Sequence, residues 1–353
     1  SIPDIYNQIP LQRNHESWID VFGPFGRGEA PPGRYTGKLE VAWKGGQDSV
    51  TVNLDVWDFA LPQESHLRGD LWNGSMRQMP PREEMHYYQI LKQHRAFPLI
   101  YAYRPGIQVN GTSVSLDWKE FDTRVAPYVD GSAFTSKHGY WGPGSGVPIS
   151  HFMLPFDIKR KSGNAWPPVD MPEGGPTPEY EAVWKETARQ IRAHLDANPN
   201  WARILKIAYL NGLDESYDEQ SYGLMIYYGR LLHDALGRGW FKYRIDGGYS
   251  REAIEKMAKE VELWICHTED FEADALPDLR RMGVDAWFYG PMIYESRRSG
   301  GCGTNSFIDQ DLTMERAIPW VAWKYRSGWV QWEFDHNAYS AWYDAETVKR
   351  PGR

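Results

Sequence analysis

The stretch Ile204-Leu205-Lys206-Ile207-Ala208-Tyr209-Leu210-Asn211-Gly212-Leu213-Asp214-Glu215-Ser216 constrains the fold more than any other. It opens as an apolar run with the length and composition of a buried strand. Asn211-Gly212 breaks the run, Asp214 and Glu215 follow side by side, and a long helical pattern begins soon after. A strand that ends in polar residues and leads into a helix is the repeat unit of α/β folds. In those folds functional side chains collect at the carboxyl ends of the strands. Asp214 and Glu215 are therefore candidate catalytic groups, because neighbouring acids resist double ionisation and one is pushed toward an acid role. The other reading is that they only cap the next helix, which Ser216 or Asp218 could also begin.

The same rhythm runs from residue 63 onward. Candidate strands are His66 to Trp72, Phe97 to Tyr103, Ile149 to Phe156, Ile204 to Leu210, Phe241 to Ile245, Glu262 to Cys266, Asp285 to Tyr289 and Trp329 to Phe334. The clearest helix spans Pro178 to about Asp196, with Thr177 placed as its cap and Tyr180, Val183, Trp184, Thr187, Ile191 and Leu195 forming a stripe. Another runs from about Gln220 to Leu236 and stops at Gly237. Residues 63–353 are thus expected to form a TIM-type (β/α)8 barrel, the catalytic domain. Two long insertions, Gly139 to Val147 and Lys159 to Pro176, flank its third strand, and the second could wall a cleft.

Residues 1–62 read as β structure. Leu39, Val41 and Trp43 alternate with charged residues, Gly45-Gly46 turns the chain, and Val50, Val52, Leu54 and Val56 alternate in return. This predicts a hairpin with one buried face. So few strands make a thin core. The segment is expected to be the later part of a β-sandwich, completed by a missing segment or a companion chain. The chain opens at Ser1, not Met, which leaves removal of a leader open.

Composition narrows the partners. Net charge is −8 with both signs mixed along the chain, which argues against nucleic acid or an anionic membrane surface. The 17 Trp and 21 Tyr supply core, and they also suit the flat apolar faces of sugar rings. Cys266 and Cys302 leave a disulfide and two free thiols equally open.

Three absences narrow the chemistry. There is no zinc-spaced His/Cys cluster, no Gly-x-Ser-x-Gly elbow and no phosphate-cradling glycine loop, so neither a metal nor a cofactor is expected. Carboxylates, hydroxyls and aromatics remain, with His267 the one histidine well placed for a site. That inventory suits glycoside hydrolysis, which ordinarily needs two carboxylates across the scissile bond. The seventh candidate strand has no carboxylate at its carboxyl end; Glu295 comes later, and Glu333 lies beside Trp332 on the last strand. One convincing acidic site fits substrate-assisted hydrolysis of a 2-acetamido sugar. There the acetamido oxygen attacks the anomeric carbon, Asp214 orients the acetamido group, Glu215 is general acid/base, and Tyr289 donates to the acetamido oxygen. A two-carboxylate mechanism pairing Glu215 with Glu333, Asp246 or Glu295 stays open, as does a barrel that binds glycan without cutting it. Trp287, Tyr289, Trp323, Trp332, Asn73, His267 and Glu333 are the candidate substrate-binding residues.

The sequence resembles glycoside hydrolase family 123 and its wider relatives, domain of unknown function 4091. Trp18-Ile19-Asp20-Val21 followed by Pro32-Gly33-Arg34-Tyr35-Thr36-Gly37 looks like the end of that family's amino-terminal sandwich, and Val56-Trp57-Asp58-Phe59-Ala60-Leu61-Pro62 like its junction with the barrel. Asp214-Glu215 matches the adjacent catalytic pair, though Ser216 stands where the family commonly has Pro. Trp287-Phe288-Tyr289 with Asn305-Ser306-Phe307-Ile308-Asp309, and Arg316, Trp320, Trp323-Lys324-Tyr325, Gly328 and Trp332, look like its last strands and helix. The resemblance implies an exo-acting, retaining β-N-acetylgalactosaminidase-like enzyme. It acts on a glycan or glycoconjugate, and the substrate implies an extracellular or periplasmic location.

Overall fold

In the computed structural model, which describes residues 31–71, 80–97, 103–160, 164–289 and 312–331, the chain divides into two units, Ser1–Leu61 and Pro62–Arg353. The described part of the first is an antiparallel ribbon of β1 (Gly33–Trp43) and β2 (Gly46–Val56). Trp43 pairs with Gly46 across a two-residue turn in which Gly45 takes φ +104°. The pairing puts Tyr35, Leu39, Val41 and Trp43 on one face with Val50, Val52 and Leu54. The sequence predicts that this face is buried, yet Trp43 is 56% and Val50 59% exposed. The described residues therefore give a ribbon with an open apolar face and no sandwich layer.

The second unit begins with β3 (Arg68–Leu71), α1 (Pro81–Gln93), the hairpin β4 (Gly106–Asn110) and β5 (Ser113–Asp117), α2 (Lys119–Val129) and β6 (His151–Met153). It continues with α3 (Pro178–Ala197), β7 (Leu205–Tyr209), α4 (Glu219–Leu236), β8 (Phe241–Asp246), α5 (Arg251–Met257) and β9 (Leu263–His267). It ends with α6 (Leu276–Arg281), β10 (Asp285–Tyr289), α7 (Leu312–Tyr325) and β11 (Gly328–Gln331). Seven strands form one parallel sheet in the order β3-β11-β10-β9-β8-β7-β6.

This corrects the expected closed (β/α)8 barrel. Closure needs an eighth strand joining β3 to β6, and among the described residues the row is open, with those two strands at its ends. The remaining candidate, Phe97 to Tyr103, falls largely on 98–102, outside the described residues. Of its flanks, Phe97 accepts a hydrogen bond from Leu71 N at 3.0 Å.

Side chains alternate between two faces of the sheet. Ile207, Tyr209, Leu263, Ile265, Trp287, Tyr289, Met153 and Val330 pack on one face. Ala208, Tyr243, Ile245, Cys266 and Phe288 belong to the larger core with Trp184, Tyr228, Leu232 and Ile254 of the helices. The Cys266 thiol donates to Trp287 O at 3.0 Å; Cys302 lies outside the described residues. Helix α3 begins where its cap predicts, with Thr177 Oγ1 accepting from Tyr180 N at 3.2 Å, and its predicted stripe is buried. Asp218 caps α4 by accepting from Ser221 N at 2.9 Å. Asp214 and Glu215 precede that cap and take no part in it.

Candidate active site

Parallel pairing brings the carboxyl ends of the strands to one end of the sheet, the usual place for a ligand in an α/β fold. After β7 the chain makes a short 3-10 turn, Asn211–Leu213. Gly212 N donates to Asp157 Oδ1 at 2.9 Å, and a Cβ on Gly212 would lie 2.2 Å from Ile158 O. Only glycine lets the turn settle that closely on the chain following β6. Glu215 then takes a left-handed backbone, φ +44°, with its N–H donating to Asp246 O at 3.3 Å. A non-glycine residue held there carries on the order of 1 kcal/mol or more of strain, a feature that gathers at functional sites.

Glu215 is the hub of a three-way contact. Its Oε1 accepts from Tyr289 OH at 2.5 Å and lies 3.1 Å from His267 Nε2, which is itself 2.8 Å from the Tyr289 oxygen. On the other side of the ring, His267 Nδ1 stands 3.8 Å from Asp270 Oδ2. Burial, and next the hydrogen bond to Glu215, push the Tyr289 phenol far above its ordinary range, so it stays a donor. The Glu215 side chain is 40% exposed, against 10% for His267.

Asp214 sits in a different environment. Burial, then the charges of Asp246 and Glu215, push its carboxyl up to about 6, against the pull of a hydrogen bond from Tyr209 and of Arg244. Two adjacent half-buried acids thus turn to different partners, Asp214 to Tyr209 and Glu215 to Tyr289 and His267. Beside them Arg244 grips Asp246 through two hydrogen bonds of 2.6 and 2.5 Å and also bonds Asp70, which pairs with His151. Burial alone would raise Asp70, but His151 and Arg244 outweigh it and hold the carboxyl below its ordinary value.

The structure brings Asp214, Glu215, His267 and Tyr289 together, and it separates them from two other candidates. Trp287 is 2% exposed, with Nε1 donating to Asp285 Oδ2 at 3.3 Å. It shares a face with Tyr289 but lies two residues deeper along β10, so its ring is core and walls no cleft. Trp323 is exposed on α7, whose carboxyl end leads into the amino end of β11, at the opposite end of the sheet from Glu215. The Tyr289 hydroxyl, a candidate donor to substrate, here donates to Glu215. Asn73, Trp332, Glu333 and Glu295 lie outside the described residues. Asp246, the other candidate second carboxylate, is taken up by Arg244.

Sequence reasoning missed Asp70, His151, Tyr209, Arg244 and the pair Gly247-Gly248. A signal was present: Asp70 and Arg244 are charges inside otherwise strand-like runs, and the glycines follow a strand-ending acid. Among the described residues no group of three or more His, Cys, Asp or Glu could hold a metal ion, and no helix is long and apolar enough to cross a membrane.

No family model matches the chain, and no curated protein matches it significantly. Among solved structures it is similar to the β-glucuronidase of Parabacteroides merdae. The match has 10% identity and a TM-score of 0.32, covering 86% of this chain and 39% of that one. The same enzyme with glycerol in its active site matches at 11% identity and a TM-score of 0.28, covering 73% of this chain and 29% of that one. The chain thus spans less than two fifths of the length of these structures, and likeness of this size bears on neither substrate nor mechanism.

Proposed function

We propose that the protein is a glycoside hydrolase acting on β-linked 2-acetamido sugars through substrate assistance. The observation that carries the reading is a pair of adjacent carboxyls with different partners at the carboxyl end of a parallel sheet. Both are half-buried; Asp214 is raised to about 6 and hydrogen-bonded by Tyr209, while Glu215 is fixed by Tyr289 and His267. Neighbouring acids held by different partners can take different tasks.

In this reading protonated Glu215 gives its proton to the glycosidic oxygen as the C1–O bond breaks. The acetamido oxygen bonds to C1 from the opposite face. Asp214, ionised above about pH 6, accepts the acetamido N–H and offsets the positive charge of the cyclic intermediate. The Glu215 carboxylate then takes a proton from the water that opens the ring at C1, so configuration is retained. Exo action and the galacto preference come from the resemblance to family 123 alone.

Turnover of 4-nitrophenyl β-glycosides tests this. N-acetylgalactosaminide or N-acetylglucosaminide should be cleaved, and the parent galactoside and glucoside should not. A thiazoline mimic of the cyclic intermediate should inhibit strongly. Cleavage of the parent sugars, or of none of the four, overturns the proposal.

A further inference from the structure

We propose that His267, seated against Asp270, is a positioning residue that decides which oxygen of Glu215 carries the acid proton. With Tyr289 it keeps Oε1 an acceptor and so directs the proton to Oε2. The identity of Glu215 as the acid rests on the glycosidase reading; its coupling to His267 does not.

Three distances carry the argument. Oε1, the Tyr289 oxygen and His267 Nε2 form a triangle with sides of 2.5, 2.8 and 3.1 Å. Tyr289 commits its one proton to Oε1. The Tyr289 oxygen and Oε1 therefore both face Nε2 as acceptors, and Nε2 must carry a hydrogen. Two donors then converge on a single carboxyl oxygen, which favours that oxygen as the carbonyl partner in the acid form. In the anion the same donors stabilise the charge.

A second observation shows that this arrangement has room made for it. A Cβ on Gly248 would lie 2.5 Å from Asp270 Oδ2 and 2.8 Å from His267 Nδ1. A Cβ on Gly247 would lie 3.3 Å from Glu215 Cα and 2.9 Å from Tyr217 OH. Consecutive glycines after β8 thus leave space for the acid on one side and for the His267–Asp270 contact on the other.

During bond cleavage the Oε2–H bond breaks, the proton goes to the glycosidic oxygen, and the C1–O electron pair leaves with the aglycone. The carboxylate is then held at Oε1 by Tyr289 O–H and His267 Nε2–H. In the second half Oε2 regains a proton from the water that bonds to C1. Neither His267 nor Tyr289 undergoes net proton transfer. Among the described residues Asp214, Asp246 and Tyr217 also act electrostatically on Glu215, and Asp270 faces His267; all remain in the variants below.

The test is the titration of Glu215 in protein carrying 13C-carboxyl glutamate, its resonance assigned by its loss in Glu215→Gln. Removing a donor to the carboxylate in His267→Ala should raise the midpoint by about one pH unit, and His267→Gln, which keeps a terminal N–H, should restore part of the shift. Hydrolysis by His267→Ala should fall at least tenfold further for methyl hexosaminides than for 2,4-dinitrophenyl ones, since only a poor leaving group needs a well-directed acid. An unchanged midpoint overturns the proposal whatever the protein cleaves. A shifted midpoint with equal losses on both leaving groups overturns the directing role. If the wild type cleaves no hexosaminide, the glycosidase reading fails, and the titration still decides whether His267 acts on Glu215.

Discussion

Asp214 carries opposite consequences for stability and for chemistry. Its carboxyl, half-buried beside Asp246, is raised in the folded state from the ordinary 3.8 to about 6. A raised folded value means that the contribution to stability is whole below about pH 4 and is lost as pH rises through about 6. At neutral pH the ionised group then costs the fold on the order of 2 kcal/mol. Asp214→Asn removes that charge. Urea unfolding should show the variant about 2 kcal/mol more stable at pH 7.5, with the gain vanishing near pH 3.5. The same change should lower turnover of a 2-acetamido glycoside on the order of a hundredfold or more, because amide for carboxylate removes the charge that offsets the intermediate. Equal stability at the two pH values would mean that Asp214 is not raised. The pair itself was legible in the sequence, as two acids after an apolar run. That Asp214 is raised was not, because that depends on Asp246 and Tyr209, which reach it from β8 and β7.

At the scale of the element, local rules and packing make contributions of different size. Helix α3 has both a side-chain cap at Thr177 and a buried stripe in which Trp184 lies 5.8 Å from Phe156 and 5.0 Å from Tyr228, ring to ring. Losing the cap in Thr177→Ala should cost about 1 kcal/mol, whereas the cavity left by Trp184→Ala should cost about 3–5 kcal/mol. Denaturant midpoints with an unchanged slope would measure both, and similar losses would show that packing does not dominate here. Caps and stripes are legible because they involve neighbours one to four residues away. The hairpin is legible for the same reason, although its turn falls at Lys44-Gly45, one residue before the predicted Gly45-Gly46, because Gly46 pairs with Trp43 in the ladder. The exposure of the ribbon's apolar face is not, since alternation specifies a face but not what covers it.

At the scale of the molecule, the buried network around Arg244 ties strands far apart in sequence. Arg244 on β8 bonds Asp70 on β3, 174 residues away, and Asp70 pairs with His151 on β6. Taking Arg244 away leaves Asp246 buried without its cation and Asp70 with His151 alone, which costs far more than the intact network contributes. Arg244→Met should therefore destabilise by about 3–5 kcal/mol at pH 7. The loss should shrink as pH falls and the abandoned carboxyls take up protons, since their folded values would then lie above the unfolded ones. Chemical denaturation at pH 5 and pH 7 measures this, and a loss under 1 kcal/mol at pH 7 would contradict it. The same scale corrects the barrel. Periodicity finds strands one at a time, while closure depends on which strand pairs with which.

What the sequence determined by itself is the set of local choices. Apolar runs became strands, Thr177 became a cap, and Asp214-Glu215 came after β7, because each rests on steric and hydrogen-bonding preferences among near neighbours. Tertiary structure alone decided that Tyr289 serves Glu215, that Trp287 is core, that Asp246 belongs to Arg244, and that the described strands form an open row of seven. Those outcomes depend on pairing across long stretches of chain. They also depend on the low polarity that pairing creates, where a carboxyl's charge is set by groups from other strands.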